Sequence, residues 1–563
     1  MSQNDGIVEN KMDQEHADVS PGRRRFLGNF AGMTAAAIAA SAIGLEPLAG
    51  GRSAELAAAQ TGPLGAEQRR NEAYDMRLKA ALFQKNLRLP DHPDNGDEQR
   101  YANKIGSYSK ALPHNGLGEP DLYAYSLLLK ALSSGEPSDF EAIPLGGTVK
   151  LSNPQGAYAF DLAGPDSHQL SVPAAPAFSS AWEASEMAED YWQALTRDVP
   201  FSNYSTDPLI IAAASDLSQF SDFRGPKAGG VVTPGTLFRG DTPSDLAGPY
   251  LSQFLWKNIP FGATTIVQKY RTAVAGDDFM KSYVEWLNIQ NGIAPAASNT
   301  IDPMTRYIRN GRDLGEWLHR DFSYQGVLGA CSILLSFGPA AMNPANPYLN
   351  SATQSGFATF GAPHILDFTA RAARTAVEAV WYQKWLVHRR LRPEEFGGRI
   401  HNNLTGAATY PINSELLHSE AISRIFSTFG SYLLPIAYPE GCPTHTSYPA
   451  GHPTIAGACV TMLKAFFKES FVIPSPVEAS TDGLSLLPYV GSALTVGGEL
   501  NKLAGNFALG RDFAGVHWRS DGIAALTLGE AVAVGILQDY RATYNETFAG
   551  FTFTKFDGSE VTV

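Results

Sequence analysis

Apolar residues return every three to four positions along most of this chain, the spacing of one helical face, while strict alternation is confined to short runs. The pattern predicts helices over Asn71–Asn86, Leu122–Ser133, Ala181–Arg197, Pro208–Phe220, Phe279–Asn291, Met304–Phe337, His364–Leu391, Ser414–Leu434, Pro453–Lys468 and Asp521–Tyr540. Many are long and joined by short polar or Pro/Gly loops. The expected fold is therefore mainly α, stacked helical bundles with a few short β-hairpins. Hairpin character is confined to Thr264–Val274, Gly147–Leu151 and Phe551–Phe556. The stretch from Tyr101 to about Ala275 is rich in Gly, Pro and Ser and is expected to wrap over the helices. A boundary near residue 300 separates an N-terminal helical and wrapping region, 60–300, from a C-terminal helical region, 301–563.

The first 59 residues read as an export signal. A polar stretch ends in Arg23-Arg24-Arg25-Phe26-Leu27, a small and apolar run follows from Met33 to Gly44, and Ala57-Ala58-Ala59 offers a cleavage site. Paired arginines before Phe-Leu and a weakly apolar run resemble a twin-arginine signal, which implies a periplasmic or extracellular destination. A disordered Ala-rich leader is the alternative. No later segment holds about 18 uninterrupted apolar residues, so an integral membrane protein is not expected. A net charge of −13 argues against nucleic-acid binding and makes local clusters of Arg and Lys more telling. Three cysteines, with no CxxC, give neither a disulfide scaffold nor an iron–sulfur spacing.

Three segments in the C-terminal half answer one chemical demand. In Lys384-Trp-Leu-Val-His388-Arg-Arg-Leu-Arg392-Pro393, Lys384 and Arg392 would project from one helix about 80° apart and about 12 Å along its axis. Pro393 is expected to push Arg392 out of helical geometry and end the helix. Alone, this is a basic helix terminus, more often a solvated face. In His445-Thr-Ser-Tyr-Pro449-Ala450-Gly451-His452-Pro453, Pro453 suits a first helical turn. Gly451 and His452 would then sit at a positive helix N-terminus, where N–H groups can meet an anion and an imidazole can move a proton beside it. In Gly510-Arg511-Asp-Phe-Ala-Gly515-Val-His517-Trp-Arg-Ser-Asp521, Asp521 could accept from one ring nitrogen of His517 and leave the other free as a ligand or nucleophile. Each histidine alone is more often structural. Together, Lys384, Arg392, Arg511 and a glycine at a helix start make a cage for a tetrahedral oxyanion, with two imidazoles beside it.

The three segments resemble the signature K-x(6–7)-RP, PSGH, SR-x5-H-x3-D shared by vanadium haloperoxidases and type 2 acid phosphatases. The Lys384-to-Arg392 gap resembles the red-algal bromoperoxidase spacing. His114-Asn-Gly-Leu-Gly-Glu119 and Pro234-Gly-Thr-Leu-Phe-Arg-Gly240 carry the resemblance upstream, toward the algal-type branch and its bacterial members. The resemblance implies that Lys384, Arg392 and Arg511 bind the equatorial oxygens of vanadate and that Gly451 offers its N–H. It makes His517 the sole covalent link to vanadium and His452 the acid–base at the apical side. His445 matches the second pocket histidine of bromoperoxidases, where fungal chloroperoxidases carry Phe. Trp381 resembles the chloroperoxidase side, where red-algal enzymes carry Arg, so the halide pocket is mixed. Two positions depart from the signature: Ala450 and Gly510 stand where it has Ser.

The resemblance implies oxidation of halide by hydrogen peroxide to hypohalous acid, which halogenates a small organic acceptor. His452 would move the proton and Lys384 would polarise the activated peroxide, while vanadium(V) acts as a Lewis acid. It also implies a homo-oligomer, from a dimer up to a dodecamer. Bromide and iodide are the expected substrates, with chloride slower, and a structural divalent cation is left open. A phosphatase with His517 as nucleophile uses the same cage, and a non-catalytic exported binding protein is a rival from another class.

Overall fold

The computed structural model describes residues 63–563; the expected export signal lies outside these described residues. Helices begin where Ser, Thr, Asp or Asn side chains accept a first-turn N–H, as Asp121, Ser180, Asn310 and Thr495 do. Thirteen helices of eight or more residues occur among the described residues. They are α1 Ala66–Lys85, α2 Leu122–Ser134, α3 Ala181–Thr196, α4 Pro208–Leu217 and α5 Tyr283–Gln290. Next come α6 Gly311–Arg320, α7 Gln325–Ser336, α8 Ala362–Tyr382 and α9 Pro393–Leu404. The last four are α10 Glu420–Phe429, α11 Gly451–Phe466, α12 Val496–Phe513 and α13 Arg519–Arg541. Three antiparallel hairpins complete the regular structure: Ile259–Phe261 with Thr264–Ile266, Val477–Ala479 with Leu486–Pro488, and Thr552–Thr554 with Glu560–Thr562. The fold is mainly α, as the periodicity predicts.

Four helices form the centre. α11 packs against α13, α8 and α12, and every residue from Pro453 to Phe466 is buried. The approach of α11 to α13 is backbone to backbone. A Cβ on Gly457 would lie 2.5 Å from the Leu526 carbonyl oxygen, and one on Gly529 would lie 2.1 Å from that of Thr454. No other residue type fits either position without separating the helices. One core cluster joins this centre to Trp192, Leu255, Leu314 and Phe396. Among the described residues α13 alone is long and apolar enough to cross a membrane, and 78% of its apolar window is buried in the bundle.

Several expectations are corrected. The Met304–Phe337 helix is two, α6 and α7, broken at Asp321–Tyr324. Ser414–Leu434 is also split, and Gly430, at φ 72°, ends α10. Gly147–Leu151 forms no strand. His364–Leu391 stops being α-helical at Tyr382, so Lys384 and Arg392 do not share a helix. Pro393 opens α9 instead of closing its predecessor, because a proline at N1 gives up an N–H that has no intrahelical acceptor anyway. The periodicity missed α9 and α12. α12 holds Gly497, Gly498, Gly505 and Gly510, which lower helix propensity, yet all 18 residues are buried and packing overrides the preference.

Candidate active site

α8 widens after Tyr382 into a π turn over Gln383–His388, a form that concentrates at functional positions. Lys384 sits on this turn, fully buried, its Nζ donating to the carbonyls of Thr446 (2.8 Å) and Ser447 (2.6 Å). Arg389 then takes the left-handed region, φ 37°, and the chain reverses so that Arg392 becomes the extended N-cap of α9. Its guanidinium donates to the Val516 carbonyl (2.6 Å), to His517 Nε2 (2.9 Å) and to His445 Nδ1 (3.0 Å).

His517 lies in the turn between α12 and α13. Its Nδ1 meets Asp521 Oδ2 at 2.7 Å. A carboxylate only accepts, so Nδ1 carries the hydrogen and Nε2 turns a lone pair toward the guanidinium. Burial, then the nearby Arg392, Lys384 and Arg511, hold the imidazole well below its usual pKa and hence neutral. Asp521 is itself fixed from three sides. Ser447 Oγ (2.5 Å) shares Oδ2 with His517, while Arg390 Nη1 (2.8 Å) holds Oδ1. Arg390 reaches on to Glu183 (2.5 Å) and Glu186 (3.1 Å) of α3, all of them buried.

Gly451 and His452 begin α11, with Ala450 as an N-cap whose methyl accepts nothing. The Ala450 N–H donates to the Asp521 carbonyl at 3.0 Å, tying the start of α11 to the start of α13. The indole of Trp381 lies over Gly451, 3.7 Å from where a Cβ would be, and tilts against the His445 ring with centroids 4.9 Å apart. Burial and the facing cations keep His445 neutral, well below its ordinary pKa. Arg511, near the end of α12, donates to the Leu318 carbonyl (3.2 Å) and the Tyr438 hydroxyl (3.3 Å). Its buried Nε has no partner among the described residues. Arg511, His452, Asp321, His319 and Glu440 line an open cavity of about 230 Å³.

The structure thus gathers Lys384, Arg392, His445, His517 and Asp521 around one point, with Trp381 and Gly451 on one side and Arg511 with His452 on the cavity side. Arg392 donates to the neutral His517 Nε2, and Lys384 and Arg511 lie near enough to help depress that ring's pKa. Burial and Arg392 depress Lys384 far below an ordinary lysine. The carboxylate that meets His517, Asp521, is already saturated, so the arrangement suits a compact oxyanion. Sequence reasoning missed Asp321, whose Oδ1 lies 3.1 Å from His452 Nε2. It was hidden inside the expected Met304–Phe337 helix, although His319-Arg320 just before it make the basic last turn that favours a helix end. Arg390, within the basic run of the first segment, was missed as well.

A family model described as the VCPO second helical-bundle domain matches residues 366–546, a span that contains Lys384, Arg392, His452 and His517. A vanadium-dependent bromoperoxidase of Ascophyllum nodosum is 35% identical over 529 residues, covering 89% of this chain and 93% of that protein. The chain belongs to the vanadium-dependent bromoperoxidase family. Bromoperoxidases of Corallina pilulifera and Corallina officinalis are 33% and 32% identical, each over 88% of this chain and 99% of its own length. The homohexameric second vanadate-dependent bromoperoxidase of A. nodosum superposes with a TM-score of 0.84 at 31% identity, covering 90% of this chain and 95% of that one. Within this family frame, the departure at Gly510 has a packing cause. A Cβ there would lie 2.4 Å from Leu318 Cδ1 and 2.8 Å from Leu314 Cγ of α6.

Proposed function

We propose that this bromoperoxidase-family chain binds vanadate and uses hydrogen peroxide to oxidise bromide and iodide, and chloride more slowly, to hypohalous acid that halogenates organic acceptors. The observation that carries the reading is the His517 Nε2 lone pair, buried and turned toward Arg392 with Lys384 and Arg511 nearby. Vanadate fits this donor set: its charge answers the uncompensated cations, and the orphaned Arg511 Nε is a donor without an acceptor. Lys384, Arg392, Arg511 and the Gly451 N–H would hold its oxygens, and His517 Nε2 would be its single protein ligand. When bound, it supplies a Lewis-acidic vanadium(V) centre that activates peroxide toward halide without a change of metal oxidation state.

The protein's own part is positional and protonic. Asp521 fixes the His517 tautomer, and Ser447 and Arg390 fix Asp521. His452, held by Asp321 at the cavity, exchanges a proton with the incoming peroxide. Trp381 and His445 form the wall against which halide enters. Three further readings go with this one. The chain assembles as a homo-oligomer, a reading that the homohexameric A. nodosum relative supports. Export rests on the paired arginines and Ala-rich run of residues 1–59. A boundary near residue 300 separates a wrapping region from the part that carries the site.

The deciding experiment loads metal-free protein with orthovanadate and follows bromide-dependent bromination of monochlorodimedone beside p-nitrophenyl phosphate hydrolysis. Activity should rise from near zero on loading, and phosphate should compete for the same donors. Equal activity with and without vanadate, or phosphate-ester hydrolysis alone, would overturn the proposal.

A further inference from the structure

Oxidation of bromide by hydrogen peroxide consumes a proton. Peroxide, bromide and one H+ give hypobromous acid and water: the O–O bond breaks, an O–Br bond forms, bromide gives up two electrons, and the proton leaves in the water. His452 exchanges one proton at a time, so it must be reprotonated in every cycle. Its Nε2 lies 3.1 Å from Asp321 Oδ1, and the buried Asp321 Oδ2 has no partner among the described residues. The open cavity of about 230 Å³ beside them carries a second imidazole, His319.

His319 lies in the last turn of α6 with a carboxylate at each ring nitrogen. Nδ1 is 3.2 Å from Glu316 Oε2, and Nε2 is 2.6 Å from Glu440 Oε1. Carboxylates only accept, so both nitrogens carry hydrogen and the ring is in its charged form. Burial works to lower its pKa, but the hydrogen bonds to Glu316 and Glu440 outweigh it and raise the value. Arg320 Nε holds the other oxygen of Glu316 at 2.9 Å, so the charge on His319 answers chiefly to Glu440. The Glu440 side chain is 46% exposed, and Lys110 Nζ donates to the Glu440 main-chain carbonyl at 2.9 Å. On its flat face the imidazole stacks on Tyr438, with centroids 3.9 Å apart and planes 13° from parallel. The Tyr438 hydroxyl in turn accepts from Arg511 and donates to the Gly315 carbonyl. Arg511, Asp321 and His452 complete the charged lining of the cavity. The ring therefore has a fixed place, a stored proton, one carboxylate open to solvent, and a cavity wall shared with the group that must be reprotonated.

We propose that His319 and Glu440 form a proton-supply station, which takes protons from solvent through Glu440 and passes them across cavity water to Asp321 and His452. The inference rests on the peroxide-and-halide reading above and assigns the proton source of that same site. The test uses His319→Gln and Glu440→Gln, loaded with orthovanadate, at saturating bromide and peroxide in dilute buffer. Near neutral pH wild-type His319 still holds its proton while free acid in water is scarce, so both variants should turn over roughly threefold or more slower than wild type. At about pH 5 free acid is plentiful and the three proteins should agree. Added 4-methylpyridinium, a small acid whose ring resists bromination, should restore the variants and leave wild type unchanged. Vanadium content should stay at the wild-type level in both variants. In metal-free protein, the pH at which diethyl pyrocarbonate begins to modify His319, read by peptide mass spectrometry, should fall in Glu440→Gln. Variants as fast as wild type at every pH, or a loss that the small acid does not restore, would overturn the station and leave the bromoperoxidase reading standing. So would a loss that tracks lost vanadium, which would give His319 a purely structural part through Tyr438 and Arg511. A wild type without vanadate-dependent bromination would overturn both readings.

Discussion

Position 450 offers a measurable handle on the oxyanion cage. Ala450 is buried, 1% exposed, and its methyl stands where the family signature carries a hydroxyl at the start of α11. In Ala450→Ser the new hydroxyl has little else to do. As an N-cap it would look to the N–H groups of the second and third helical residues, but the third is Pro453, which has none. It is therefore free to donate to an anion held beside Gly451. A hydrogen bond to a charged group contributes about 1.5–3 kcal/mol, and about 1.4 kcal/mol is a factor of ten in affinity. Dehydrating the hydroxyl and displacing a bridging water offset part of that gain, which leaves an expected tightening of up to roughly tenfold. Calorimetric titration of metal-free wild type and variant with orthovanadate gives the ratio, and a parallel titration with phosphate should move the same way. An unchanged Kd for both anions would refute the reasoning, because it would mean that a water already completes the cage or that the anion does not lie at the start of α11.

His517→Ala should reduce retained vanadium at least tenfold with activity, since it removes the Nε2 lone pair whose tautomer Asp521 fixes; His452→Ala should keep most of the metal and lose most turnover, and elemental analysis beside the bromination rate separates the two. Trp381→Arg should lower the chloride-to-bromide rate ratio and His445→Phe should raise it, because each changes how dry and how positive the halide wall is; ratios that stay fixed at two pH values would remove both residues from halide selection. His364, buried between the Phe360 N–H and the Tyr544 hydroxyl, has its pKa lowered by burial to about 4. The unfolded chain takes up that proton from about pH 6.5 and the folded chain only near 4, so stability is lost as pH falls across this window, by about 3 kcal/mol for this group. Denaturant melts at pH 7 and 4.5 should show the loss and His364→Gln should reduce it; equal slopes in both proteins would contradict the assignment.

Much of the site was legible because its chemistry sits in three short stretches whose residue types need no knowledge of packing: a lysine and two arginines, a glycine at a helix start, and a histidine four before an aspartate. What stayed hidden depends on breaks in periodicity. Lys384 and Arg392 meet through a π turn and a left-handed Arg389, neither of which an apolar repeat encodes. Asp321 is available to His452 because α6 ends there, while the apolar pattern runs on into α7. α12, which carries Arg511, is glycine-rich for the sake of tight packing, so local propensity points away from the helix that burial enforces. The cap residues, in contrast, mark helix starts well at Asp121 and Ser180, though the start after Asn310 lay inside the expected Met304–Phe337 helix.

The contact of α11 with α13 through Gly457 and Gly529 has a consequence for how this scaffold can vary. With main chain touching main chain, no compressible layer of side chains lies between the two helices, and the tie from the Ala450 N–H to the Asp521 carbonyl pins their starts as well. The spacing between His452 and His517 is therefore set by main-chain contact, not by side-chain packing that could be retuned by substitution. The wall of Trp381 and His445 is made of side chains, Trp381 in the last turn of α8 and His445 in a loop, and is under no such main-chain constraint. Divergence in halide choice should accumulate on that soft side, and a designer seeking a different oxidant should leave the two glycines alone and vary the wall.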